Sequence, residues 1–126
     1  PLQQLAMLLA GDIAFHEYEG VAFELEERDR LVADLGDKNL MFLRNHGTLA
    51  VGSSVAEAFT LMYFFEKSCT AQVRALSMGL PLHPVPDDVI AKVSALRVTD
   101  EMSFVEELLW PAMLRKLDRL DPSWKG

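Results

Sequence analysis

Residues 39–76 place the strongest constraint on how this chain folds. The run Leu40, Met41, Phe42, Leu43 has the length and residue type of a buried strand. Arg44, Asn45, His46 and Gly47 interrupt it, and Thr48, Leu49, Ala50 and Val51 resume in apolar and β-branched residues before Gly52. The pattern predicts two short strands flanking a polar corner that presents one imidazole. After Gly52 the period changes. Val55, Phe59, Met62, Phe65, Cys69, Val73 and Leu76 recur every three or four residues, which is one face of a long helix. Ser54 with Glu57 three residues on is a capping box, and Gly79 and Pro81 mark the end. The expectation is a helix over 55–78, roughly 35 Å long. Its inward residues should be Phe59, Met62 and Cys69, facing two of Met41, Phe42 and Leu43.

The 126 residues bound the chain to one domain, and with half of them hydrophobic it can bury a core. Net charge is −7, from 19 acids against 12 bases. That argues against nucleic acid or an anionic membrane surface as partners, because phosphate contacts need a local excess of Lys and Arg. One cysteine excludes an internal disulfide and suits a reducing, cytoplasmic setting. No apolar run reaches the length of a membrane span, and no signal-peptide pattern is present.

Around the central stretch the rest reads in order. Leu2, Leu5, Leu8 and Leu9 predict a short helix over 2–9. Ile13, Ala14 and Phe15 give a strand running raggedly to Tyr18, and Val21, Ala22 and Phe23 a weaker one. Residues 26–35 are helical, with Leu31, Val32 and Leu35 inward, a Glu26–Arg30 pair, and Gly36 as the residue after the cap. A loop with Pro81, Pro84 and Pro86 precedes a helix over 87–96, opened by Asp87 and Asp88 and striped by Val89, Val93 and Leu96. A last helix begins at Ser103, and Pro111 inside it should kink or restart it. Adjacent strands joined by short corners favour an antiparallel or mixed sheet.

The run LRNHGTLAVGSSVAEAF, followed by an aromatic, Glu-containing helix, resembles the class II aldolase/adducin family. Pro1-Leu2-Gln3-Gln4, the run from Phe15 to Gly20 (FHEYEG) and the closing run from Leu117 to Pro122 (LDRLDP) are similar to members of it too. The resemblance covers the whole chain but only the C-terminal half of the family's domain. It identifies residues 1–126 as a C-terminal portion. The fold it implies is α/β in three layers, a central, mainly antiparallel sheet with helices on both faces, incomplete at the N-terminus.

From spacing alone His46 is a turn histidine, since a lone imidazole is weak evidence for a metal. The resemblance implies more. In the family, the histidine of this Asn-His-Gly corner is a ligand to a catalytic divalent metal, usually zinc. The other two ligands form a His-x-His pair upstream, as does the acid that shuttles protons. This chain contains no His-x-His, and its other histidines, His16 and His83, match no ligand position. No catalytic residue is assigned. A catalytic zinc needs three protein ligands and an open position, so the implied chemistry belongs to the complete domain.

The remaining candidates read as structure. Cys69 lies on the apolar stripe; Glu24, Glu26, Glu27 and Asp29 are a solvated helix start. Tyr18 and Tyr63 are packed aromatics, and Ser53, Ser54 and Ser103 are caps. Phe64, Phe65, Trp110 and Trp124 supply more aromatic area than such a chain hides, which points to an interface. Two functions from different classes remain. One is part of a metal-dependent aldehyde lyase or epimerase acting on a small hydroxy-carbonyl or sugar-phosphate substrate. The other is a non-catalytic, adducin-like assembly module. The resemblance also implies a homo-oligomer, with a tetramer favoured.

Overall fold

The computed structural model describes residues 1–20, 25–96 and 104–125. The strand expected at Val21 to Phe23, Glu24, and the helix start at Ser103 lie outside them. Helix α1 (Gln4–Leu9) is capped by the Gln3 side chain, which accepts from the Leu5 N–H at 2.7 Å. Met7 and Leu9 are its buried residues, not the full leucine set. A 3-10 turn, Ala10–Asp12, leads into β1 (Ile13–His16). There the buried Asp12 carboxylate accepts from the Asn39 N–H at 3.0 Å and ties the start of β1 to the start of the next strand.

Helix α2 (Glu26–Leu35) connects β1 to β2 (Leu40–Leu43), and the two strands pair in parallel, Ile13 opposite Leu40 and His16 opposite Leu43. Parallel neighbours need such a crossover, which a two-residue corner cannot supply. A hairpin then sets β3 (Gly47–Ala50) antiparallel to β2, with Leu43 opposite Gly47. Among the described residues the sheet has three strands, in order β1-β2-β3, and is therefore mixed, with one pairing of each kind. Leu40 and Met41 point to opposite faces of β2 and are 0% and 1% exposed, so both faces of that strand are covered.

Helix α3 (Val55–Ser77) matches the expected span. Its inward face does not. Ala56, Glu57, Thr60, Leu61, Phe65 and Ser68 are buried, while Phe59 is 40% exposed and Val55, Val73 and Leu76 face solvent. Leu61 and Phe65 join Leu9 and Leu40 in the core, with Ile13, Phe42, Ala50, Phe64 and Cys69 packed around them. Met62 is half-buried, and of the expected strand trio Met41 alone is fully buried, with Leu40 in place of Phe42 or Leu43. Buried hydroxyls are compatible with the rotated face. Thr60 and Ser68 each donate to the carbonyl four residues back, Ala56 and Phe64, at 2.8 Å, and so enter the interior without an unmet donor.

Helix α4 (Asp87–Ser94) packs on α1 after the proline loop, and of its expected stripe Leu96 and Val89 are exposed. A π-helical turn, Val105–Leu109, packs on α3 through the buried Val105 and runs into α5 (Trp110–Leu120). Pro111 sits in the first turn of α5, but the backbone stays helical from Phe104 through the π-turn into α5, so the expected restart is not seen and the irregularity is the π-turn just before the proline. A 3-10 turn, Pro122–Lys125, closes the chain, with Trp124 Nε1 and Lys125 Nζ both on the Asp118 carboxylate.

Candidate functional site

The β2–β3 corner is built to display His46. The Leu43–Gly47 pairing leaves Arg44, Asn45 and His46 to close the hairpin. Asn45 takes φ +55°, a left-handed conformation that asparagine tolerates better than most residues. The His46 N–H donates to the Leu43 carbonyl at 3.0 Å, and the Arg44 N–H to the His16 carbonyl at 3.0 Å, which pins the corner to β1. The His46 ring is left exposed.

Two concavities share His46 and Arg44. One is bounded by Phe15, Phe42, Thr48 and Glu66, where the Thr48 hydroxyl donates to Glu66 Oε1 at 2.7 Å. Arg44 Nε lies 2.7 Å from Glu17 Oε1, and the guanidinium stands 5.3 Å from the Phe15 ring centroid. Cys69 borders this cleft; burial, and secondarily the Glu66 charge, push its thiol above the ordinary cysteine range. The second concavity is a crevice walled by His16, Tyr18, Glu19, Glu27, Arg44 and His46. In it His16 is 4% exposed, its Nδ1 lies 2.7 Å from Asp34 Oδ2, and its Nε2 lies 3.8 Å from Glu27 Oε1. Beside it Arg30 bonds both Glu19 oxygens, and that hydrogen bond holds the Glu19 carboxyl below the usual range.

The sequence therefore placed His46 on its corner but missed His16, which the parallel β1–β2 register brings to the same crevice. The signal was a histidine in phase with buried Ala14 on a short strand. Glu27 is half-buried beside His16, whereas Glu26 and Asp29 are solvated as expected. Tyr18 and Tyr63 are exposed and not packed away; Tyr63 stacks with Phe59, whose other partner is Trp110. The Glu26–Arg30 pair gives way to Arg30–Glu19, and Val32 faces solvent. Ser54 caps α3, but Glu57 turns to Ser53. His83 lies exposed on the proline loop.

Among the described residues no group of three or more His, Cys, Asp or Glu side chains is arranged to hold a metal ion. One exposed imidazole does not by itself fit a catalytic metal, which takes three protein ligands. What the corner offers is a single displayed ligand beside a cleft.

Comparison with known proteins gives this geometry its context. Residues 1–73 match the family described as the class II aldolase and adducin N-terminal domain. A protein of Caulobacter vibrioides, provisionally named an aldolase class 2 protein, is 43% identical over 124 residues, covering 98% of this chain and 48% of its own. Adducin-related protein 1 of Caenorhabditis elegans is 32% identical over 127 residues, covering 94% of this chain and 17% of its own. The crystal structure of an aldolase II superfamily protein from Pseudomonas syringae superposes with a TM-score of 0.86 at 41% identity, over 96% of this chain and 49% of that one. The chain thus spans about half the length of the bacterial relatives it matches. The match to the family over more than half of the chain, and the superposition over 96% of it, make the chain a member of the class II aldolase and adducin family.

Proposed function

We propose that residues 1–126 supply the C-terminal portion of a metal-dependent aldehyde lyase or epimerase domain acting on a small hydroxy-carbonyl or sugar-phosphate substrate. The observation that carries this reading is the corner itself, an exposed imidazole held at a cleft by Asn45 and by the bond from Arg44 to β1. In it His46 is one of three ligands to a divalent ion, with zinc favoured because neutral imidazole suits it. A His-x-His pair elsewhere in the domain would supply the other two. Such an ion, when bound, polarises a carbonyl; the chain's own part is to hold the His46 ring at the cleft.

The same proposal includes a homo-oligomer, a tetramer for preference, in the cytoplasm. The exposed aromatic and aliphatic side chains of α3, the π-turn and α5 support it, among them Phe59, Phe104, Leu108 and Leu117. In the whole domain the sheet is mainly antiparallel between two helical layers. Nucleic acid and membrane are not proposed as partners, given the −7 charge. No helix among the described residues is long and apolar enough to cross a membrane.

A second reading, a non-catalytic adducin-like assembly module, is favoured by the similarity to the adducin-related protein across nearly all of the chain. Calorimetry separates the two. This chain alone should bind zinc no better than an exposed histidine does. Joined to an upstream segment containing His-x-His, it should bind one zinc tightly, and His46→Ala should abolish that with the circular dichroism unchanged. Binding should weaken as pH falls through the histidine range, since a ligand must be deprotonated. Tight zinc binding by this chain that survives His46→Ala would sink the metal reading. An upstream segment without His-x-His would favour the module.

A further inference from the structure

Helix α2 is attached to the fold differently from every other helix that borders the sheet. None of its residues is buried, and Val32, and Leu25 just before it, face solvent. Leu31 and Leu35 are half-buried against the sheet side, and the ion pairs that tie the helix to β1 and to the segment after it are largely exposed. Asp34, 47% exposed, holds His16 at 2.7 Å, and Arg30, equally exposed, grips Glu19 from the segment after β1. Contacts of this kind stabilise little and are easily exchanged for water, whereas α3 is held by the interior packing of Leu61 and Phe65. Gly36, which caps the end of the helix, has φ +57° and can absorb a change in chain direction there.

Beneath α2 lies an unsatisfied atom. Among the described residues His16 Nε2 is buried with no hydrogen-bond partner, 3.8 Å from Glu27 Oε1 of the same helix. Closure denies that nitrogen its hydration, and opening restores it, which tilts the balance toward opening. The atom faces the crevice that His46 also walls. We propose that α2 is a flap: it leaves β1 as a unit while the sheet and α3 stay folded, and its opening uncovers the His16 imidazole near His46. The flap does not depend on His46 binding a metal.

Two measurements on the full chain test this, backbone hydrogen exchange and carbethoxylation of histidine by diethyl pyrocarbonate, read by mass spectrometry. His46 and His83, both exposed, serve as internal standards for the reagent. The expected result is exchange of the α2 amides and modification of His16 at a common rate. That rate should be slower than modification of His46 but at least tenfold faster than exchange in the core of α3. Asp34→Ala should raise the His16 rate by on the order of tenfold, the loss of one charged hydrogen bond, without changing α3 exchange. Arg30→Gln, at the other clamp, should act in the same direction, and guards against Asp34→Ala loosening the whole fold. Modification of His16 at the α3 core rate, in the wild type and in both variants, would mean that α2 opens only when the protein unfolds, and the flap would be wrong.

Discussion

The Glu57 carboxylate, on the first turn of α3, accepts a hydrogen bond from the Ser53 hydroxyl at 2.7 Å and another from the Ser53 backbone N–H. Ser54, between Ser53 and the helix, caps the Glu57 N–H at 3.1 Å. The buried charge is thus satisfied by the corner that joins β3 to α3, and this fixes how the helix leaves the sheet. Glu57→Ala should strip those donors of their partner and lower stability by about 1–3 kcal/mol, with Glu57→Gln recovering part of the loss. Urea unfolding at constant m-value is the measurement; a change under a few tenths would mean that the corner does not orient the helix.

Phe59 and Phe65 on α3 should respond differently. Phe65 is 1% exposed in the core, and truncation to Ala should cost about 3–5 kcal/mol. Phe59 lies in a half-open aromatic row, 5.4 Å from the Trp110 ring and 6.4 Å from Tyr63, so Phe59→Ala should cost about 1 kcal/mol. Equal losses in chemical denaturation would return Phe59 to the core.

Gly52 is required for space. A Cβ there would stand 2.8 Å from the Ala58 backbone N and 3.0 Å from Glu57 Cβ and Cγ. The backbone nitrogen cannot swing aside, so Gly52→Ala should destabilise by roughly 1–3 kcal/mol through overpacking. A neutral or stabilising result in thermal melts would show that the corner has slack.

Cys69 gives a pH dependence. Burial first, then the Glu66 charge, raise its pKa in the folded state, so the folded thiol keeps its proton at a pH where an unfolded cysteine has begun to lose it. Iodoacetamide should therefore alkylate the native protein more slowly than the urea-unfolded chain near pH 8.5, and Glu66→Gln should narrow the gap. The sign for stability follows. Above the cysteine range the unfolded chain holds fewer protons than the folded one, so this group erodes stability as pH rises. Native and unfolded rates that coincide would remove the shift.

How much of this was legible in advance depends on the kind of signal. The strand Leu40–Leu43, the corner carrying His46, and the span and Ser54 cap of α3 follow from local chemistry. Apolar runs, a period change and a side-chain acceptor each act within a few residues. The face of α3 did not follow. Residues 59, 61, 62, 63, 64 and 65 are all apolar or aromatic, so more than one stripe satisfies the helical period. Thr60 and Ser68, whose hydroxyls reach back to the helix, and Glu57, which finds Ser53, can each be buried with their polar atoms met. Those bonds are local, each within four residues, and the face itself is set by packing against Leu9 and Leu40 from other segments. The parallel pairing of β1 with β2 was decided likewise by the α2 crossover and the bond from Asn39 to Asp12, 27 residues apart in sequence. The sequence by itself determined which segments form, where the chain turns and that His46 is displayed on a corner. Only the tertiary structure decided that His16 lies sealed beside it under α2, because the partners of a buried polar atom are set by which segments meet and not by its neighbours in the chain.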